Sequence, residues 1–319
     1  MKIEFGTIDE INNVDELIDN SFNGTCFAYS WFLKFKNSNR ILKIYNDKNE
    51  LQGFMPLFNT KGENVIFQST MYIPYGGPVI FKVPNEERTR IRYIRDIEKS
   101  LVKFIQSNFI SSDFSIDNEI IDIMPFIRAN YTPEVRYTYK IDLCEGIEKI
   151  YSKFGHDRKK DIRRAKKRNI EFIIDSNNSL FDANIAMKWE KNYGEKSTAD
   201  DVKKYIDLTL NNNRGMCFIA KEKNQVIGGV HLAWDKKTAY ILYSYYAKEN
   251  DDVAIAFIYY NMMKYLIDIG INYLDFEGSV FESIEDWNIS FGAYQSRFYN
   301  LHWNNDLKPY FGVYDYGEK

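Results

Sequence analysis

Two stretches of the chain are copies of one unit. Ile44-Tyr45-Asn46-Asp47-Lys48-Asn49-Glu50-Leu51-Gln52-Gly53 returns as Ile219-Ala220-Lys221-Glu222-Lys223-Asn224-Gln225-Val226-Ile227-Gly228. Each copy has a short apolar strand, a polar turn centred on Lys-Asn, and a second apolar strand that begins near a glycine. Carried on at the same offset, Leu57 meets Leu232 and Lys61 meets Lys236, so six of the eighteen positions from 44 to 61 are identical without a gap. Two charged hairpins can look alike by chance, but a helix and a further strand are expected after both of these. Such a repeat predicts two related domains. At 319 residues and 37.8 kDa the chain also exceeds the size at which single cores stop growing. We therefore expect domains over 1–135 and 136–319.

A formal net charge of -3 means that any basic surface has to be local. Cys26, Cys144 and Cys217 are odd in number and widely spaced, with no CxxC or metal-ligand pattern, which predicts reduced thiols in a cytoplasmic protein. Met1-Lys2-Ile3-Glu4-Phe5 lacks the blocks of a signal peptide, and no apolar run approaches the roughly 18 residues of a spanning helix.

Apolar periodicity predicts helices over Asp9 to Ser21, Tyr29 to Phe35, Glu86 to Asn108, Ile147 to Asn169, Phe181 to Asn192, Ala199 to Asn211 and Val253 to Ile269. Strands are expected at both hairpins and near Val65 to Thr70, Asp117 to Met124, Glu171 to Asp175, Thr238 to Ala247 and Tyr273 to Glu277. Asn130-Tyr131-Thr132-Pro133 reads as a linker. This order gives an α+β domain, a mostly antiparallel sheet flanked by helices, twice over.

His156, His231 and His302 form no HExxH or Cys/His pattern and are read as structural or solvated, so neither a Ser-His-Asp arrangement nor a metal site is expected. No GxxxxGK[ST] or GxGxxG loop is present. Lys153 to Arg168 holds nine lysines and arginines against Asp157 and Asp161, a surface that would attract a pyrophosphate or an RNA end if it is more than a solvated face. Tyr243 and Tyr245 share one face of a strand, where they either line a cleft or fill the core.

Four pieces together resemble the FemABX family, bacterial peptidoglycan aminoacyltransferases built from two tandem GNAT-like domains. Phe27-Ala28-Tyr29-Ser30-Trp31 looks like the family's early Ser/Pro-Trp signature, and Pro74-Tyr75-Gly76-Gly77-Pro78-Val79 its Arg-Gly-Pro loop, with Gly76 in the arginine's place. Asp161-Ile162-Arg163-Arg164-Ala165 looks like its Asn-Ile-Arg-Lys-Ala helix, and Leu274-Asp275-Phe276-Glu277-Gly278 with Ser290-Phe291-Gly292 its closing motif.

The resemblance implies transfer of an amino acid from aminoacyl-tRNA, a co-substrate with no cofactor beside it, to an amine of a UDP-linked or lipid-linked muropeptide or an amino sugar. Peripheral contact with a membrane would follow from a lipid-linked acceptor. Glu277 would take the amine proton, and Trp31, Lys36, Tyr75, Arg163, Tyr243 and Tyr245 would hold substrate. Where the family often carries Phe-Lys, this chain has Trp287-Asn288, and an asparagine donates a hydrogen bond without a charge. The coenzyme A loop of ordinary GNAT enzymes is also missing, with acidic residues 249–256 in its place. Acyl-CoA transfer to a small amine, and a catalytically inactive binding protein, are the other two readings.

Overall fold

The computed structural model describes residues 1–58, 65–67, 73–178, 199–246, 252–278 and 281–304. The helix expected over Phe181 to Asn192, the Lys61 end of the repeat and residues 249–251 lie outside them. The chain packs as two units, Met1–Arg136 with the stretch from Arg297 onward, and Tyr137–Ser296. The second unit therefore ends before the C-terminus, where the sequence suggested one continuous domain over 136–319.

In the first unit, β1 (Lys2–Thr7), β2 (Arg40–Tyr45), β3 (Leu51–Pro56) and β5 (Val79–Ile80) form an antiparallel sheet in that order. Strand β4 (Val65–Phe67) runs parallel to β6 (Ser111–Ile116). The helix Glu87–Asn108 turns Ile94, Ile97, Leu101 and Ile105 into a core with Leu42, Ile44, Met55, Phe114 and Ile116. Its start is fixed by Glu86, whose carboxylate accepts from the backbone of Arg88 and Thr89 at 3.0 and 2.7 Å. The first expected helix is shorter than its apolar stripe, Val14–Asp19 after a single tight turn at Ile8–Glu10. Asp117 to Met124 is not a strand. β6 precedes it, and the helix Met124–Arg128 begins at its end.

Strand β7 (Thr132–Asp142) starts inside the expected linker and carries the chain into the second unit. There, it is followed in sheet order by β12 (Tyr273–Asp275), β11 (Thr238–Tyr246), β10 (Gln225–Trp234), β9 (Gly215–Glu222) and β8 (Glu171–Asp175). Only β11 and β12 are parallel neighbours in this set. The helix Asp252–Asp268 connects them and covers one face, packing Ile255, Met262 and Leu266 with Phe218, Val230, Leu232, Ile241 and Leu274. Gly270, at φ 82°, ends the connection, and the amides of Gly270 and Ile271 reach back to Ile267 and Leu266 at 3.0 Å each. The predicted helix from Ile147 to Asn169 is two helices, Ile147–Lys153 and His156–Lys167, broken where Gly155 donates its amide to Ser290 at 2.8 Å. The last strand, β13 (Tyr294–Asn304), returns the chain to the first unit and pairs with β6 from Tyr299 to Asn304.

The two copies of the repeat share a defect as well as a sequence. Ile44 pairs with Gly53 and Tyr45 with Leu51, which leaves Gln52 out of the ladder. Ala220 pairs with Gly228 and Lys221 with Val226, which leaves out Ile227, the counterpart of Gln52. Each strand thus bulges one residue before its glycine. A Cβ on Gly53 would stand 2.1 Å from the Val79 carbonyl oxygen, and one on Gly228 3.2 Å from Ala254 Cβ and Ile255 Cδ1. The first glycine admits the neighbouring strand and the second admits the helix. The turns differ, since Lys223 and Asn224 at φ 49° and 65° make a two-residue loop, whereas the first copy uses Asn46 to Glu50 with Asn49 at φ 62°.

Candidate active site

Strands β11 and β12 are paired over three residues only, Thr238 to Tyr240 against Tyr273 to Asp275. Beyond them β11 runs on to Tyr246, while Phe276 donates its amide to Tyr139 of β7 at 2.9 Å, so the two strands part within the second unit. Glu277 stands at this point. Its backbone is left-handed at φ 60°, a conformation that costs a side-chain-bearing residue roughly 1 kcal/mol or more. Its Oε1 is buried with no hydrogen-bond partner. Burial, with Asp275 second, pushes its carboxyl up to about 8.

Asp275 is the other carboxylate of the motif and has the opposite character. It is 1% exposed, accepts from the Thr138 hydroxyl and from the Glu277 amide at 2.8 Å, and lies 3.6 Å from Lys140 Nζ. Residues 275 and 277 have equal parity, so strand periodicity could not say which would be paired. The strand ends at Asp275, and parity stops applying there.

Trp287 and Asn288 sit on the helix Glu282–Ile289. Trp287 joins an aromatic cluster, 5.1 Å from the Phe291 ring and 6.1 Å from Tyr259, which is itself 5.5 Å from Phe276. Asn288 is 3% exposed, and its Nδ2 is buried without an acceptor. The cation against Trp287 is Arg158, whose guanidinium lies 4.1 Å over the ring. Arg158 also stands 3.4 Å from Asp161 and 3.6 Å from Asp252, and its Nε and Nη1 are buried without partners.

Sequence reasoning treated Lys153 to Arg168 as one positive surface, and the structure divides it. Arg158 turns inward. Lys153 pairs with Glu145, Lys159 donates to the Ser152 carbonyl at 2.7 Å, and Arg168 holds Glu222 through two nitrogens at 2.9 and 2.8 Å. Arg163 is exposed on the outer side of the helix, with Lys160, Arg164, Lys166 and Lys167.

The tyrosines divide too. Tyr243 pairs with His231 and Ile241 with Leu232, so Leu242 is a bulge and the side chains after it change face. Tyr243, 1% exposed, stacks on His231 at 5.7 Å and meets Tyr205 at 6.2 Å. His231 is fully enclosed, bonded to Thr209 at 2.8 Å, and held down to about 3 by that burial, which makes it a structural histidine. Tyr243 is therefore core, as is Tyr245 at 8% exposure, and Tyr246 is the one that packs on the helix-covered face. Burial, with Asp252 second, pushes the Tyr246 hydroxyl up to about 12.

Three sequence candidates belong to the first unit. Trp31 lies on the helix Ser30–Phe35, whose first amide and hydroxyl are held by Asp15 at 2.6 and 3.0 Å, and its ring is 5.5 Å from Tyr29. Lys36 closes that helix, 5.9 Å from the Phe35 ring centroid. Tyr75 is 7% exposed and packs edge-on against Phe298 at 5.3 Å, in a loop whose Gly76 and Gly77 amides both reach the Ser115 carbonyl. Thr138 and Lys140 escaped sequence reasoning and are brought in by register. Asp275 stood in the closing motif, Arg158 in the basic run and Tyr246 beside Tyr243 and Tyr245, and none of the three was assigned a role.

Among the described residues no group of three or more His, Cys, Asp or Glu side chains is placed to hold a metal ion, and no helix is long and apolar enough to cross a membrane. No family model matches the sequence, and no curated protein matches it. Solved structures do. The crystal structure of FemX superposes with a TM-score of 0.68 at 13% identity, covering 94% of this chain and 97% of that one. A tandem GNAT protein from the clavulanic acid biosynthesis pathway matches at 0.55 and 7% identity, over 94% and 98%. The C-terminal domain of a putative lysylphosphatidylglycerol synthetase from Agrobacterium fabrum matches at 0.56 and 11%, over 83% and 84%. Similarity at these identities carries the fold, and the chain has the FemX-like fold of two tandem GNAT-like units.

Proposed function

We propose that the second unit carries an N-acyltransferase site, and that it moves an amino acid from aminoacyl-tRNA to an amine of a muropeptide precursor in the cytoplasm. The observation that supports this most is Glu277, a buried carboxyl with one unpartnered oxygen where β11 and β12 part. The ester of aminoacyl-tRNA is already activated, so the protein needs to position an amine, accept a proton and stabilise charge on the carbonyl oxygen. The amine nitrogen attacks the ester carbon, the carbon–oxygen bond to the ribose breaks, and Glu277 passes the amine proton to the leaving oxygen. With its carboxyl near 8, about one in ten Glu277 side chains is ionised at pH 7, and turnover should rise with pH until about 8. Asn288 Nδ2, a buried donor without an acceptor, would serve the oxyanion.

The structure of the helix Asp252–Asp268 favours this donor over acyl-CoA. Its first residue is an acid that faces Arg158 at 3.6 Å, and a carboxylate there opposes a pyrophosphate. The test is label transfer into amine acceptors from a mixed aminoacyl-tRNA pool and, separately, from acyl-CoA. We expect transfer from the first, and Glu277→Gln should slow it by about 10²- to 10⁴-fold. A Glu277→Gln variant within a few-fold of the parent would remove Glu277 as base, and label from neither donor would support a catalytically idle binding protein.

A further inference from the structure

We propose that Asp275, held between Thr138 and Lys140, is the positioning residue for Glu277, an inference that rests on the acyltransferase reading of the site. Asp275 accepts the Glu277 amide at 2.8 Å through Oδ1, two residues back along the chain. That bond closes a small turn and fixes the left-handed backbone at 277. The same Oδ1 accepts from the Thr138 hydroxyl, while Oδ2 faces Lys140, and both partners come from β7. Asp275 and Lys140 are a cross-strand pair, so the sheet register itself places the cation. All three side chains are nine-tenths buried or more, at 1%, 0% and 8% exposure for Asp275, Thr138 and Lys140. A buried ion pair adds little stability over an apolar pair of the same volume, and its use is to hold one arrangement in place.

The arrangement sets the charge that Glu277 meets. Asp275 is the charged neighbour that raises the Glu277 carboxyl, after burial. Lys140 answers it, and also faces Asp235, which is buried, accepts from Tyr240 at 2.9 Å and is raised by its burial. Tyr294, from β13, meets Lys140, Tyr273, Asp142 and Asp275, and burial raises its hydroxyl. Asp275 thus takes the Glu277 amide on Oδ1 and faces the Lys140 cation with Oδ2.

The test is the titration of Glu277 itself, followed in the substrate-free full chain by 13C-labelled glutamate side chains and assigned by the signal lost in Glu277→Gln. Asp275→Asn keeps an oxygen for the Glu277 amide and removes the charge. It should lower the Glu277 titration by about one pH unit and move the acid limb of kcat to lower pH with the acceptor KM unchanged. Lys140→Met removes the opposing charge and should move both upward. A Glu277 titration that stays in place in both variants, or moves the same way in both, overturns the proposal. If Asp275→Asn does not fold, Lys140→Met decides alone, an upward shift supporting the proposal and no shift overturning it. The titration needs no substrate, so it stands apart from the question of what the site transfers.

Discussion

A buried donor without an acceptor costs about 1–3 kcal/mol, and the second unit keeps one on Asn288. Glu277 adds a buried acceptor with no donor, on a backbone that disfavours any side chain. In the proposed site these two groups would be held ready for the charge of the transition state. Asn288→Ala tests this at the level of one group. Removing an oxyanion donor typically slows transfer by about 10²- to 10³-fold, whereas removing an unsatisfied amide should leave thermal stability close to the parent's. Stability lost without transfer lost would make Asn288 a packing residue.

At the level of elements, most of the fold was legible from the sequence. The repeat announced two units because strand, polar turn, glycine and following helix recur together, and the helix Glu87–Asn108 was readable from its apolar stripe. What escaped is what periodicity cannot carry. The bulge at Leu242 reverses every face assignment after it, so Tyr243 lies against His231 in the core and Tyr246 replaces it on the other face. The break at Gly155 divides one basic run, and its inward turn hides Arg158 against Trp287. Register alone brings Lys140 to Asp275 across a separation no local pattern spans. The outer face of the helix His156–Lys167 keeps Arg163 and Arg164 exposed, which is the part of the basic run still suited to RNA. Reversing both to Glu should weaken tRNA binding and reduce the slope of log K against log salt by about 1 for each lost phosphate contact. Equal affinity and slope in a filter or fluorescence titration would return this face to solvent.

At the scale of the whole molecule, each unit holds, among the described residues, a buried carboxyl with an unpartnered oxygen that is pushed up to about 8 or above. In the first unit it is Glu98, fully enclosed on the core side of the helix Glu87–Asn108, with neither oxygen partnered. Burial, with Asp122 second, pushes it up to about 9 against the opposite pull of Arg95. In the second unit it is Glu277, near 8. Both values lie above the ordinary carboxyl range, so the folded chain binds protons that the unfolded chain has released. The stability linked to them is complete below about pH 4.5 and declines as pH rises through 8 and 9. Glu10, Glu86, Glu145 and Glu222 have the reverse sign, lowered chiefly by Lys43, Thr89, Lys153 and Arg168 respectively, but Glu10 and Glu86 are exposed, Glu145 and Glu222 half-buried at the surface, and all four are screened by water. Glu98→Gln should remove the share of that decline that belongs to Glu98. Urea unfolding at pH 5, 7 and 9 is the measurement. Relative to the parent, the Glu98→Gln chain should gain ground steadily with pH, by up to about 1.4 kcal/mol per pH unit between the two titration points. Any fixed cost of burying the amide enters equally at all three values, so it does not disturb the comparison. A difference that is the same at pH 5 and pH 9 would mean that Glu98 reaches solvent or a partner when ionised, and that the charge balance of the first unit lies elsewhere.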